Sequence, residues 1–394
     1  MSETRYRAAI VGTGAIAAAH AQALKDHQDR IRLTAVVDVD AGRARTFAGA
    51  WDARAVPDLA ALLHEGVDLV HLCTPPSTHT PLALQCLRAG VNVLVEKPPT
   101  LSLAELDTLA GASRETGASR ETGASRGTGA SRGTGASRGT GASRGTGPFV
   151  ATVFQHRFGA GAIRLREMAA AGELGRSLLA TCETQWYRDA AYFEVPWRGR
   201  WETEGGGPTM GHGIHQFDLL LSVLGPWEQV TAVAARRGRE VDTEDVSMAL
   251  VTFADGTLAS VVNSVVSPRQ TSRLRFDFEH ATVELDHLYG YRDADWTVTP
   301  VPGHSAVAAR WAADPSEAES GHTEQLAAVL DALDAGTPPP VTLEETRRTM
   351  EFVAALYASA FTGAPVRSGE IGPGSPFAAR MDGTGAPWTP VRAR

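Results

Sequence analysis

Residues 7–17 read RAAIVGTGAIA, and residues 33–40 read LTAVVDVD. The first stretch starts as a continuous apolar run and ends in a glycine-rich turn. An Ala-rich segment with helical apolar spacing continues to His27. Strand, turn, helix and strand form a parallel-sheet unit, because a strand covered on both faces reads apolar throughout. Gly12, Thr13, Gly14, Ala15, Ile16 and Ala17 fit the pattern G-x-G-x-x-G/A in the context it requires. Gly12 allows a tight turn, Gly14 lets a pyrophosphate approach the backbone, and Ala17 permits close helix–sheet packing. The helix N-terminus then faces the phosphate charge. Asp38 ends the second strand, 24 residues after Gly14. There its carboxylate can accept hydrogen bonds from the adenosine ribose and repel a 2′-phosphate. The expected cofactor is NAD. Arg43 and Arg45 lie near enough in sequence to hold a 2′-phosphate, which keeps NADP open.

Further along, VDLVHLCTP (67–75) and VNVLVEKP (91–98) are strands separated by a helix that starts at Pro81 and stops before Gly90. Alternating strands and helices predict a doubly wound parallel sheet. After residue 150 the order changes. Segments such as VSMALVTF (246–253) and LASVVNSVV (258–266) follow one another with turn signals between them and no helix. The predicted class is therefore α/β. A Rossmann dinucleotide-binding domain over 1–150 is followed by an α/β domain over 151–366 with an open, mostly antiparallel or mixed sheet. Residues 367–394 form a Pro- and Gly-rich tail, expected to be only partly ordered.

Residues 112–147 are six tandem hexapeptides, Ala-Ser-Arg-(Glu/Gly)-Thr-Gly. They have no apolar periodicity, and a disordered surface loop between a helix and a strand is expected. The repeat adds +4 to a chain of 394 residues whose formal net charge is −8. That balance argues against nucleic acid as a partner. No window resembles a membrane span, and the N-terminus lacks the signature of a signal peptide. Three scattered cysteines exclude a disulfide scaffold, so a cytoplasmic location is expected.

Only two of the 37 basic residues are lysines, Lys25 and Lys97. Lys97 follows Glu96 at the end of a strand, where ligands of open α/β sheets collect. An amine there can donate to a substrate hydroxyl, or it can be a salt-bridged strand-end residue. With these residues in view, the sequence resembles the glucose–fructose oxidoreductase / inositol dehydrogenase / rhizopine catabolism family (Gfo/Idh/MocA). The resemblance rests on GTGAIA (12–17), CTPPSTH (73–79), VLVEKPP (93–99), QHRF (155–158), GGGPTMGHGIHQFD (205–218) and FADGTLAS (253–260). It implies NAD(P)-dependent redox chemistry on sugars, polyols or their derivatives, and a homo-oligomer assembled through the open sheet. It also implies that Thr74, Pro75, His79, Glu96 and Lys97 line the nicotinamide side. Gln155 and Arg157 match a segment near nicotinamide and substrate.

His215 matches the family's catalytic histidine. A neutral imidazole suits the removal of a hydroxyl proton near pH 7. Lys97 and His215 are expected to serve one substrate oxygen. Many relatives carry Asp or Asn four residues before this histidine; here that position is Gly211, and His212 is its neighbour. The glycine keeps open a scaffold that binds cofactor without turnover, and the resemblance also leaves open a lyase or hydrolase that recycles its NAD. His212 and His215 are spaced i, i+3, but no third ligand accompanies them, so no metal is expected. Tyr187, Trp197 and Arg198 lie in an aromatic, Arg-rich loop suited either to a polar or acidic, carbohydrate-like ligand or to packing between domains. With Gln155, Arg157 and His212 they complete the expected substrate set.

Overall fold

The computed structural model describes residues 5–125, 147–316 and 318–391. They divide into two compact units. The first comprises residues 1–99, 105–153 and 322–345; the second comprises 100–104, 154–321 and 346–394.

In the first unit, β1 (Tyr6–Val11), α1 (Ala17–Asp26), β2 (Ile31–Val37), α2 (Ala41–Ala50) and β3 (Arg54–Ala55) alternate as the apolar runs predict. They are followed by α3 (Leu59–Glu65), β4 (Leu69–Leu72), α4 (His79–Arg88), β5 (Asn92–Val95), α5 (Leu103–Ser125) and β6 (Val150–Thr152). All six strands are parallel, in the order β3-β2-β1-β4-β5-β6. The strand order reverses between β1 and β4, the point at whose carboxyl ends open α/β sheets bind their ligands. Ile10, Val36, Leu69 and Leu94 fill the core, together with Ala17, Ala21 and Leu24 of α1.

The second unit carries α6 (Ala160–Ala170), β7 (Ser177–Tyr187), α7 (Trp201–Glu204) and α8 (Ile214–Leu224). Then come β8 (Trp227–Ala235), β9 (Val246–Phe253), β10 (Leu258–Ser264), β11 (Val266–Phe278), β12 (Ala281–Asp286) and β13 (Trp296–Pro300). The chain ends with α9 (Ser305–Ala312), α10 (His322–Ala335), α11 (Leu343–Thr362), β14 (Val366–Arg367) and α12 (Pro376–Ala379). The sheet order is β13-β12-β11-β7-β10-β9-β8-β14. Only β7 and β10 pair in parallel, so the sheet is mixed and mostly antiparallel. One face is covered by α8. The other leaves Leu179, Val233, Met248, Leu250 and Leu258 exposed.

Three sequence expectations change. The break near residue 150 lies beside Val153, but α10 belongs with the first unit, where Leu326, Val329, Leu330 and Leu333 pack into the core around α1. Part of the expected loop is helical, since α5 runs on through the first two hexapeptides to Ser125. A helix already nucleated by packed turns adds residues at little cost. The remainder of the repeat, 126–146, lies outside the described residues. The tail is anchored as well: Phe377 and Met381 are buried, and Trp388 Nε1 donates to the Asp242 carbonyl at 2.8 Å. No described helix is long and apolar enough to cross a membrane.

Candidate active site

The glycine turn sits at the carboxyl end of β1. Gly12 has φ +90°, and a Cβ there would lie 2.8 Å from the Cys73 backbone, so only glycine fits. A Cβ on Gly14 would meet nothing within 4 Å, which leaves that side of the turn open to a pyrophosphate. Asp38 holds the turn. Its Oδ2 accepts from the Thr13 amide at 2.7 Å and from the Thr13 hydroxyl at 2.8 Å. Its Oδ1 accepts from the Asp40 amide at 2.8 Å and from Arg43 at 2.7 Å. Burial would raise this carboxyl, but the four hydrogen bonds pull it down to about 2. Arg43 is thus already neutralised by the residue that would exclude a 2′-phosphate.

At the end of β5, the Glu96 side chain is the hub of a network that sequence reasoning missed. Its Oε1 accepts from His20 Nε2 at 2.9 Å and from His322 Nε2 at 3.0 Å, and its Oε2 accepts from the Lys97 amide at 3.2 Å. Burial opposes ionisation of Glu96, but the two histidine hydrogen bonds hold it well below the usual carboxylate range. His20 Nδ1 meets His71 Nδ1 at 2.8 Å. If Glu96 takes both Nε2 protons and His20 is neutral, His71 donates and its bare Nε2 has no partner among the described residues. Burial pushes the pKa of His20 down and that of His71 down further. The donor atoms of His20, Glu96 and His322 lie within 4.8 Å of one another, a spacing that the two hydrogen bonds to Glu96 account for. The sequence clues were His20 about one turn into α1 and a lone His71 inside an apolar strand. Nearby, His79 spans the Thr74 and Pro98 carbonyls, 2.8 Å from each, and so ties the segment after β4 (Thr74, Pro75) to the one after Lys97.

In the second unit, a five-residue π turn (Thr209–Gly213) feeds α8, and His215 lies buried in the first turn of that helix. Such turns often mark functional positions. The Tyr289 ring is 5.8 Å from His215 and 6.1 Å from Trp186, and its hydroxyl receives the Gln155 amide. Trp186 in turn lies 4.9 Å from His212. Gln155, His212 and His215 therefore come together around Tyr289 and Trp186, neither of which was among the expected site residues. Tyr187 does not join them. Successive strand residues face opposite sides, and Tyr187 stacks instead under Arg239.

The two selected arginines are engaged. Arg157 forms a two-pronged pair with the buried Asp218 at 2.5 and 2.6 Å. Arg198 lies between the rings of Tyr192 (3.8 Å) and Trp197 (4.2 Å), and meets buried Glu204 at 3.3 Å. Glu204 also occupies the surroundings of the anomalous glycine: a Cβ on Gly211 would have Glu204 Oε1 as its nearest neighbour, at 3.8 Å.

Residues 6–121 match the oxidoreductase family with an NAD-binding Rossmann fold, and residues 162–284 match the C-terminal domain of the same family. The chain belongs to the Gfo/Idh/MocA family. Its first unit is an NAD-binding domain, and the turn at 12–17 with Asp38 fits that cofactor. UDP-N-acetylglucosamine 3-dehydrogenase of Acidithiobacillus ferrooxidans is 39% identical over 109 residues, 28% of this chain and 34% of that protein. D-glucoside 3-dehydrogenase of Escherichia coli is 27% identical over 250 residues, 62% of this chain and 61% of its own. The matched region thus spans less than two thirds of either relative. The crystal structure of the WlbA dehydrogenase from Bordetella pertussis, in complex with NADH and UDP-GlcNAcA, shares the fold. It superposes with a TM-score of 0.75 at 23% identity, covering 93% of this chain and 98% of that one.

Proposed function

We propose that this protein is an NAD-dependent dehydrogenase that moves hydride between nicotinamide and a secondary alcohol, or the corresponding ketone, of a sugar or polyol derivative. One observation carries the reading. The residue after the anchored Glu96 is Lys97, one of two lysines in the chain, at the carboxyl end of β5 in an NAD-binding domain. NAD, when bound, supplies the hydride acceptor. Lys97 donates to the substrate oxygen, and His215 takes the hydroxyl proton as the hydride leaves. Gln155, Tyr289 and His212 hold the sugar. The names of the two relatives, both sugar 3-dehydrogenases, support the substrate class.

The test is a screen of sugars, polyols and sugar acids read as NADH absorbance, followed by variants. Lys97→Ala and His215→Ala should each lower turnover by about 100-fold or more while NAD binds normally, the scale of lost acid–base assistance. The double variant should be little worse than either single one, because both groups serve one step. Near-normal turnover of His215→Ala would remove it from the mechanism. An enzyme that converts sugar with no net NADH would be a recycling lyase or hydrolase; one that only binds NAD would be a scaffold.

The same proposal includes a homo-oligomer and a cytoplasmic location. Leu250 (68% exposed), Val233 (65%), Leu258 (55%) and Met248 (50%) form an apolar stripe on the open sheet face, a surface suited to a second copy. A monomer in light scattering would exclude the oligomer. The three buried free thiols suit a reducing compartment.

A further inference from the structure

We propose that Arg188 is a carboxylate-recognition site and that the substrate is therefore an acidic sugar; this rests on the dehydrogenase reading. The argument begins with the arginines near His215. Arg157 is committed to Asp218, and Arg198 to Glu204. Arg188 differs. Among the described residues it pairs with no carboxylate. Its guanidinium lies over the rings of Trp186, at 4.7 Å, and Tyr192, at 5.1 Å. Its Nε donates to His212 Nε2 at 3.3 Å, and its NH1 donates to the Tyr187 carbonyl at 3.0 Å.

This arrangement orients a planar cation without neutralising it. Stacking on two rings holds the plane, and the hydrogen bonds to neutral acceptors fix its rotation. The cation borders the proposed reaction centre. His212 precedes His215 by three positions, and Trp186 is joined to His215 through the Tyr289 ring. A pyranose lying against Tyr289 and Trp186 would bring a ring carboxylate within reach of the Arg188 fork while its hydroxyl faces His215. A carboxylate suits this site better than a phosphate. One guanidinium fork matches one carboxylate in charge and shape, whereas a phosphate dianion needs further cations, and Arg157 and Arg198 are already spent on acids.

Three probes share one ring and differ in the group at C6: methyl glucuronide, methyl glucoside and methyl glucoside 6-phosphate. Binding to the full-length protein with NAD is measured by saturation-transfer NMR, and turnover by NADH absorbance. The glucuronide should bind about tenfold or more tighter than the other two, the scale of one charge-assisted fork. Arg188→Gln should abolish that preference by weakening the acid alone, with little change for the neutral sugar. Where turnover is measurable, the loss should fall in KM rather than kcat. Arg188→Lys should recover part of it, since charge returns without the fork. Equal binding of acid and neutral probes, preference for the phosphate, failure of the glucuronide to bind, or an equal loss for all probes in Arg188→Gln overturns the proposal. Acid-selective binding that depends on Arg188, without any NADH, would uphold the site and sink the dehydrogenase reading instead.

Discussion

Asp38 accepts four hydrogen bonds from groups of its own unit, two of them from Thr13 in the glycine turn. The carboxylate expected to hold a ribose also shapes the loop that faces the pyrophosphate. Removing it should therefore act twice. Asp38→Ala should weaken NAD by about 10- to 100-fold, the scale of lost charged hydrogen bonds. It should also free Arg43 for a 2′-phosphate, so that discrimination against NADP shrinks. Calorimetric titration with both cofactors checks this. Unchanged NAD affinity in the variant, or tighter NADP than NAD binding in the unmodified protein, would shift the specificity to Arg43 or Arg45.

At the scale of elements, the last residue of the repeat returns to the place where its first copy ends, within α5. The Gly117 and Gly147 backbones are in direct contact, and a Cβ on Gly117 would lie 3.7 Å from the Gly147 Cα. Ser113 donates to the Pro148 carbonyl across the same gap. Excising residues 118–146 would join two glycines that are already neighbours, with no constraint on side-chain direction. The shortened protein should bind NAD as before and melt within about 4 °C of the parent, the shift that roughly 1 kcal/mol produces in a domain of this size. A larger drop would mean that the excised residues pack on the fold.

Across the whole molecule, buried neutral histidines make stability depend on pH. His20 and His71 have pKa values below the ordinary 6.5, because burial penalises the charged ring. Below pH 6.5 the unfolded chain takes up protons that the folded chain refuses, so stability falls as pH falls. Each histidine that stays neutral contributes a slope of up to about 1.4 kcal/mol per pH unit. The acids act lower. Glu96 and Asp38 are depressed in the fold, so their stabilisation is complete above their ordinary values of 4.5 and 3.8 and is lost below them; for Asp38 the loss ends near pH 2. The melting temperature should therefore drop between pH 7 and pH 5, before Glu96 and Asp38 titrate. A flat melting temperature across that interval would mean that both rings take up protons in the folded protein as readily as in the unfolded chain.

Much of this molecule was legible in the chain because local rules govern it. A strand buried on both faces must be apolar, and a phosphate-facing turn must lack side chains. RAAIVGTGAIA and the acid ending LTAVVDVD thus declared the first unit and its cofactor. The mixed second sheet followed from strands that succeed one another without helices. Other features depended on neighbours distant in sequence. The place of α10 beside α1 was invisible because its apolar stripe says only that it packs, and the fold supplies the partner. Glu96 reads as an ordinary strand-end acid until tertiary structure sets His20 and His322 on one of its oxygens. Arg157, Arg188 and Arg198 are chemically identical in sequence. Folding puts Asp218 against the first and Glu204 against the third, and leaves Arg188 on two aromatic faces. Residue types and their spacing determined the scaffold and the kind of chemistry. Which charges remain available for a substrate was decided only in three dimensions, because neutralisation depends on distance through space rather than along the chain.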